Sequence, residues 1–169
     1  MIDSILLFPY WLALKTRHFL FNKGIRKSVT PDVPTICIGN ITVGGTGKTP
    51  HTEMILRELL EDEIWGGKNL AVLSRGYKRK SKGYVLVTED TPMEMIGDEP
   101  WQMEQKFPHV YIAVDADRRN GIERLMNDPE TRDVQVILLD DAFQHRYVSP
   151  GRNILLTDYH RLITHDMLL

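Results

Sequence analysis

Cysteine is nearly absent from this sequence. Cys37 is the only one, so no internal disulfide and no zinc site built from several cysteines can form, and a reducing, cytosolic compartment fits. Charge of one sign is lacking as well: 21 Lys and Arg stand against 23 Asp and Glu, a formal net charge of −2. Binding to a nucleic-acid backbone needs clustered cations that release counterions, so no nucleic-acid partner is expected. No apolar run reaches the roughly 20 residues that cross a bilayer. The longest, Ile5 to Leu14, ends at Lys15 and Arg17. Burying those two charges costs ~5–7 kcal/mol against ~3–5 kcal/mol gained from the apolar side chains, which argues against a span. The N-terminus also lacks the basic start and small-residue cleavage site of a secretory signal.

What is present is an ordinary globular mixture: 169 residues, 42% hydrophobic and 26% charged, enough for one core. Basic character is concentrated at the start, where Lys15, Arg17, Lys23, Arg26 and Lys27 face only Asp3. Phe8, Tyr10 and Trp11 lie in the same stretch. Residues 4–21 therefore read as an amphipathic helix lying on an anionic membrane surface, or as a helix packed on the chain's own core. Pro31 and Pro34 mark a join, giving an N-terminal helix and connector over 1–30 and a sheet domain over 31–169.

From Val33 onward, short β-branched runs alternate with helical segments, the signature of βαβ units on a parallel sheet. "TICIG", "NLAVLSR", "VYIAVD", "VQVILLDD" and "NILLTD" read as strands. "TPHTEMILRELLED" reads as a helix whose apolar stripe is Met54, Leu56, Leu59 and Leu60, with Pro50 tolerated in its first turn. "GDEPWQMEQKF" and "DRRNGIERLMND" are further helices, and "KRKSKGYVLV" is a basic loop running into a hairpin arm. The expected fold is an α/β three-layer sandwich of the P-loop NTPase kind, with a mostly parallel sheet behind an N-terminal amphipathic helix.

Between the first strand and its helix lies "GNITVGGTGKTP". The pattern G-x-x-x-x-G-K-[ST] asks for a glycine at position 42, where this chain has Thr42. The double glycine that follows can absorb the turn. Thr42, Val43, Gly44, Gly45, Thr46, Gly47, Lys48 and Thr49 are thus expected to wrap a nucleotide's phosphates with main-chain N–H groups at a helix N-terminus. Lys48 would reach the β- and γ-phosphates, and the Thr49 hydroxyl would bind Mg²⁺. "VQVILLDD" supplies a second metal anchor in Asp140 and Asp141. Adjacent strand residues point to opposite faces, so both serve the ion only if Asp141 lies past the strand end. The guanine-reading N-K-x-D sequence is absent, which favours ATP.

The acceptor side is less sharply written. Asp98 and Glu99 either orient a hydroxyl or start a helix. Ser74, Arg75 and Tyr77 end the second strand at the same crevice, where Arg75 either neutralises phosphate or forms a surface ion pair. His145 meets substrate, holds the Asp141 carboxylate or, as is more common for a lone loop histidine, is structural.

Taken in order, "GN" with "VGGTGKTP", then "SRGY", "GDEP" and "LDDAFQH", resemble the tetraacyldisaccharide 4′-kinases, the lipid A kinases of Gram-negative bacteria. That family's loop also lacks the first glycine and carries proline after the threonine. The resemblance implies transfer of the ATP γ-phosphate, with Mg²⁺, to the 4′-hydroxyl of an acylated disaccharide lipid at the cytoplasmic face of the inner membrane. It places the catalytic aspartate at Asp98, the acidic pair at Asp140 and Asp141, and Gln144 beside His145 in the acceptor region. It also implies members about twice this length with a second lobe, so this chain is expected to be a fragment. The alternative is a membrane-associated ATPase switch of the partitioning or division-site type. Its loop also reads G-G-x-G-K-T but carries a second lysine where this chain has Val43.

Overall fold

The computed structural model describes residues 11–12, 15–40, 47–143 and 145–157. Six strands form one sheet in the order β3-β4-β2-β5-β1-β6. They are β1 (Thr35–Asn40), β2 (Leu70–Ser74), β3 (Val85–Leu86), β4 (Tyr111–Val114), β5 (Val136–Asp140) and β6 (Arg152–Leu156). All neighbours run parallel except β3, which pairs antiparallel with β4. Two helices lie between β3 and β4 in sequence, so the expected hairpin arm is instead a short edge strand. β5 lies between β1 and β2, with Ile38 opposite Asp140.

The central strands are buried on both faces, which is why they read as continuous apolar runs. Alternate residues go to opposite sides. Ile38, Leu70, Val72 and Leu138 join one core with Leu56 of α2 (Lys48–Glu61) and Met103 of α4 (Asp98–Lys106). Cys37, Ala71, Leu73, Ile137 and Leu139 join the other with Ile122 and Leu125 of α5 (Arg118–Asn127). The result is the expected three layers. A short α3 (Met93–Ile96) leads into α4.

Helix ends follow local chemistry. Asp117 caps α5, its carboxylate accepting from the Arg119 main-chain N–H at 3.0 Å. Asp98 and Glu99 lie in the first turn of α4 and Lys106 in its last, complementing the helix dipole. Lys106 also donates to Glu53 at 2.6 Å, tying α4 to α2.

One part of the expected stripe is wrong. Met54 is half exposed, and the α2 face on the sheet is Thr52 and Leu56, flanked by partly buried Ile55, Leu59 and Leu60. A threonine displaces the methionine because its hydroxyl has a buried carboxylate to meet.

Of the N-terminal helix, residues 15–22 are described as helical and are called α1 here. Phe21 is buried, whereas Trp11, Leu12 and Phe19 are exposed. Among the described residues, no helix is long and apolar enough to cross a membrane. The connector is laced to the loop after β5: Val29 N–H donates to Tyr147 O and Ser149 N–H to Val29 O, each at 2.8 Å.

Candidate functional site

The carboxyl ends of β1, β2 and β5 open on one crevice, the usual ligand position in open parallel sheets. Asn40 ends β1, Ser74 ends β2 and Asp140 ends β5. Gly47, with φ 73°, precedes α2, so Lys48 and Thr49 are the first two residues of that helix. Lys48 Nζ donates to Asn40 Oδ1 at 3.1 Å and lies 3.4 Å from Asp141 Oδ1. His51 Nδ1 and the His51 main-chain N–H both bond the Gly47 carbonyl, at 2.7 and 3.1 Å, fixing the first turn.

Asp140 is buried in the floor of the crevice. Its carboxylate accepts from Thr52 Oγ1 at 3.2 Å and from Ser74 Oγ at 3.3 Å. Burial, reinforced by the charges of Glu99 and Asp141, pushes its pKa up to about 6 against the pull of Thr52 and Arg118. Asp141 lies just past the strand with φ 51°, its N–H held by Ile38 O at 2.9 Å. The reversal sends its side chain into solvent beside Lys48, meeting the condition set by strand geometry. The turn passes close over β1: a Cβ on Gly39 would stand 2.5 Å from Phe143 Cβ.

Arg118, fully buried, lies beneath this floor. It donates to the main-chain carbonyls of Asp115 and, at 2.8 Å, Asp140, clamping the ends of β4 and β5 across β2. Burial lowers its pKa to about 10.

The acceptor-side residues scatter more widely. Glu99 is near enough to bear on Asp140 electrostatically, and both Asp98 and Glu99 are exposed at the α4 start. That start is brought to the crevice by Gly97, whose φ 94° and ψ 161° only glycine adopts readily and where a Cβ would meet Tyr77 O at 2.8 Å. Arg75 and Tyr77 are exposed, with Lys78 over the Tyr77 ring at 5.2 Å. His145 does not hold Asp141. Its ring bonds the Ala116 main chain, its Nδ1 is buried without a partner, and burial followed by Arg118 lowers its pKa. Residues Thr42, Val43, Gly44, Gly45, Thr46 and Gln144 lie outside the described residues, as does most of 4–14.

Sequence reasoning missed Asn40, Thr52 and Arg118. Asn40 stood in the quoted "GN", and Thr52 lies four residues after Lys48, one helical turn on. Nothing local marks Arg118, because its partners are carbonyls on two strands.

The residues present fit a divalent cation bound with a nucleotide. Among the described residues no three acidic, His or Cys side chains enclose an ion by themselves. Mg²⁺ commonly takes one or two carboxylates and completes its shell with phosphate and water. Asp140 is buried, which is the main reason its pKa is raised, and the charges of Glu99 and Asp141 add to it; a cation would relieve both.

The tetraacyldisaccharide-1-P 4′-kinase family profile matches residues 4–169. The chain is 59% identical over 160 residues to the tetraacyldisaccharide 4′-kinase of Phocaeicola vulgatus, covering 95% of this chain and 42% of that protein. It is 54% identical over 162 residues to that of Parabacteroides distasonis, covering 96% and 42%. The chain thus spans under half the length of these curated relatives. A crystal structure of the "apo" form of LpxK from Aquifex aeolicus in complex with ATP superposes with a TM-score of 0.78 at 38% identity, over 96% of this chain and 52% of that one. The match runs along nearly the whole of this sequence, and the chain belongs to the tetraacyldisaccharide-1-P 4′-kinase family.

Proposed function

We propose that the protein transfers the γ-phosphoryl group of ATP to the 4′-hydroxyl of a tetraacyldisaccharide 1-phosphate, a step of lipid A biosynthesis. The observation that carries the reading is the meeting of Lys48, Asn40 and Asp141 over buried Asp140, where a glycine-rich loop enters a helix. The Aquifex relative's complex with ATP supports the choice of nucleotide. Family membership leaves the partitioning-type switch without support.

In this reading Thr42 to Thr49 wrap the phosphates, and Lys48 exchanges its hold on Asp141 for the phosphate oxygens. Thr49, Asp140 and Asp141 would hold Mg²⁺, which would supply neutralisation of phosphate charge. Thr52 and Ser74 keep the Asp140 carboxylate turned toward the crevice. Asp98, exposed at the α4 start, accepts the 4′-hydroxyl proton as that oxygen forms its bond to the γ-phosphorus and the bond from that phosphorus to the β–γ bridging oxygen breaks, releasing ADP. Arg75, Tyr77, Glu99, Gln144 and His145 line the acceptor side. The protein mainly positions the reactants and stabilises charge, as phosphoryl transfer asks. Residues 1–30 serve as a membrane-associated segment and 31–169 as the kinase domain, with 4–21 resting on the cytoplasmic face of the inner membrane.

The test is an assay of the full-length protein with γ-labelled ATP and tetraacyldisaccharide 1-phosphate. Label in the lipid is the expected result. Release of free phosphate with no labelled lipid overturns the reading.

A further inference from the structure

Arg118, the first residue of α5, is sealed inside the molecule with 2% of its surface exposed. Burying a charge costs stability unless a counter-charge or a full set of hydrogen bonds compensates. Among the described residues no carboxylate lies within 4.0 Å of its guanidinium. The acids beside it in sequence are engaged elsewhere. Asp117 holds Arg119 at 3.0 Å, and Asp115 accepts from the Asp117 main-chain N–H at 2.9 Å and from Asn120 Nδ2 at 2.5 Å. Arg118 Nε is buried with no partner among the described residues. Stability alone therefore does not account for an arginine here, because an apolar side chain would fill the space at lower cost.

What an apolar side chain could not do is join two strand ends. The terminal nitrogens of Arg118 donate to the main-chain carbonyls of Asp115 and, at 2.8 Å, Asp140. These lie at the carboxyl ends of β4 and β5, which β2 keeps apart. The contact on β5 falls one residue before the chain reverses. Asp141 has φ 51°, a left-handed conformation that a residue with a side chain keeps where its surroundings enforce it. From the β1 side the reversal is held by Ile38 O, which accepts from the Asp141 N–H at 2.9 Å, and by the close passage of Phe143 over Gly39. From the β4 side it is held by Arg118. The Asp140 carboxylate is fixed as well, Oδ1 by Thr52 at 3.2 Å and Oδ2 by Ser74 at 3.3 Å.

We infer that Arg118 is a positioning residue for the proposed phosphoryl transfer: by gripping the Asp115 and Asp140 carbonyls it holds the reversal at Asp141, and so keeps the acid pair where Lys48 and the nucleotide meet. The guanidinium works through the backbone, from beneath the crevice floor. Its fork is what the task needs, because two carbonyls on separate strands call for two donors in fixed relation. Charge-stabilising groups act only when held in place, so a loosened turn should tell on the rate before it tells on lipid binding. The inference rests on the proposed function for the reaction it serves, whereas the clamp can be observed without nucleotide or metal.

The test compares full-length wild type with Arg118→Met, which keeps apolar bulk and loses the donors. Hydrogen exchange read by mass spectrometry, in chelator and without nucleotide, should speed up about tenfold or more at residues 140–145 and change less than about twofold in β2. With γ-labelled ATP and tetraacyldisaccharide 1-phosphate, kcat should fall roughly 10- to 100-fold while KM for the lipid stays within about twofold. The Mg²⁺ needed for half of the thermal shift given by a non-hydrolysable ATP analogue should rise about threefold or more. Arg118→Lys keeps a buried cation without the fork and should move all three readouts the same way; it also serves if Arg118→Met does not fold. Unchanged exchange at 140–145 overturns the clamp. Equal loosening of every strand means that Arg118 only supports the fold, and a loosened turn with normal kcat removes it from the reaction; either result overturns the inference. Wild type that leaves the lipid unlabelled defeats the proposed function instead, and Arg118 is then judged by the exchange and by the nucleotide shift.

Discussion

Replacing Asp140 by asparagine should stabilise the protein while abolishing the proposed phosphoryl transfer. Folding moves the Asp140 pKa from 3.8 to about 6, chiefly through burial. At 1.36 kcal/mol per pKa unit, that difference corresponds to about 3 kcal/mol of stability forgone when the carboxyl is ionised. The folded chain binds this proton more tightly than the unfolded chain. From about pH 4 to about pH 6, therefore, the native state keeps a proton that the unfolded state has released, and stability falls as pH rises through that window. Above it the penalty is complete. Asparagine keeps an oxygen for Thr52 and offers an N–H to Ser74, so the penalty goes without leaving a cavity. In metal-free, nucleotide-free protein, Asp140→Asn should be more stable than the parent by about 2–3 kcal/mol at pH 8 but only about 1 kcal/mol at pH 4.5. For a chain of this length the gain at pH 8 amounts to roughly 5–10 °C in Tm. Thermal unfolding in a chelator at the two pH values reads this directly. A variant less stable than the parent at pH 8, or one shifted equally at both, would refute the buried-charge reasoning.

In the proposed reaction, Lys48→Ala should lower kcat by roughly 100- to 1,000-fold with little change in KM for the lipid, since the lysine would act on developing phosphate charge; steady-state kinetics that show a normal kcat would remove it from the mechanism. Gly97→Ala should destabilise the protein by at least about 1–3 kcal/mol, because φ 94° with ψ 161° is a glycine conformation and the new Cβ would press on Tyr77 O; a urea melt checks it. Cys37, 1% exposed and with its thiol pushed up to about 11 mainly by burial, should resist alkylation at pH 8 until the chain unfolds, as mass spectrometry after timed labelling would show.

The elements that sequence placed well are those written in local chemistry. β2 and β5 are unbroken apolar runs between polar turns, Asp117 announces α5 by capping it, and Gly97 before Asp98 announces α4. What escaped depends on residues far apart in the chain. Thr52 reads as an ordinary polar helix residue, and only its meeting with Asp140, 88 positions away, explains its burial in place of Met54. Arg118 reads as one of two solvated arginines after an aspartate, yet it faces inward, to carbonyls at two strand ends. His145 reads as a candidate partner of Asp141, but its ring bonds the Ala116 main chain instead. The docking of Phe21 on Tyr147 likewise has no local signature.

The most direct measurement is a crystal structure of the full-length protein with Mg²⁺ and a non-hydrolysable ATP analogue. The expected density places the β- and γ-phosphates against the main-chain N–H groups of Gly47, Lys48 and Thr49, with Lys48 turned from Asp141 to the ligand and the ion on the Asp140 side. Phosphates bound away from the carboxyl ends of β1 and β5, with Lys48 still held by Asn40 and Asp141, would contradict it.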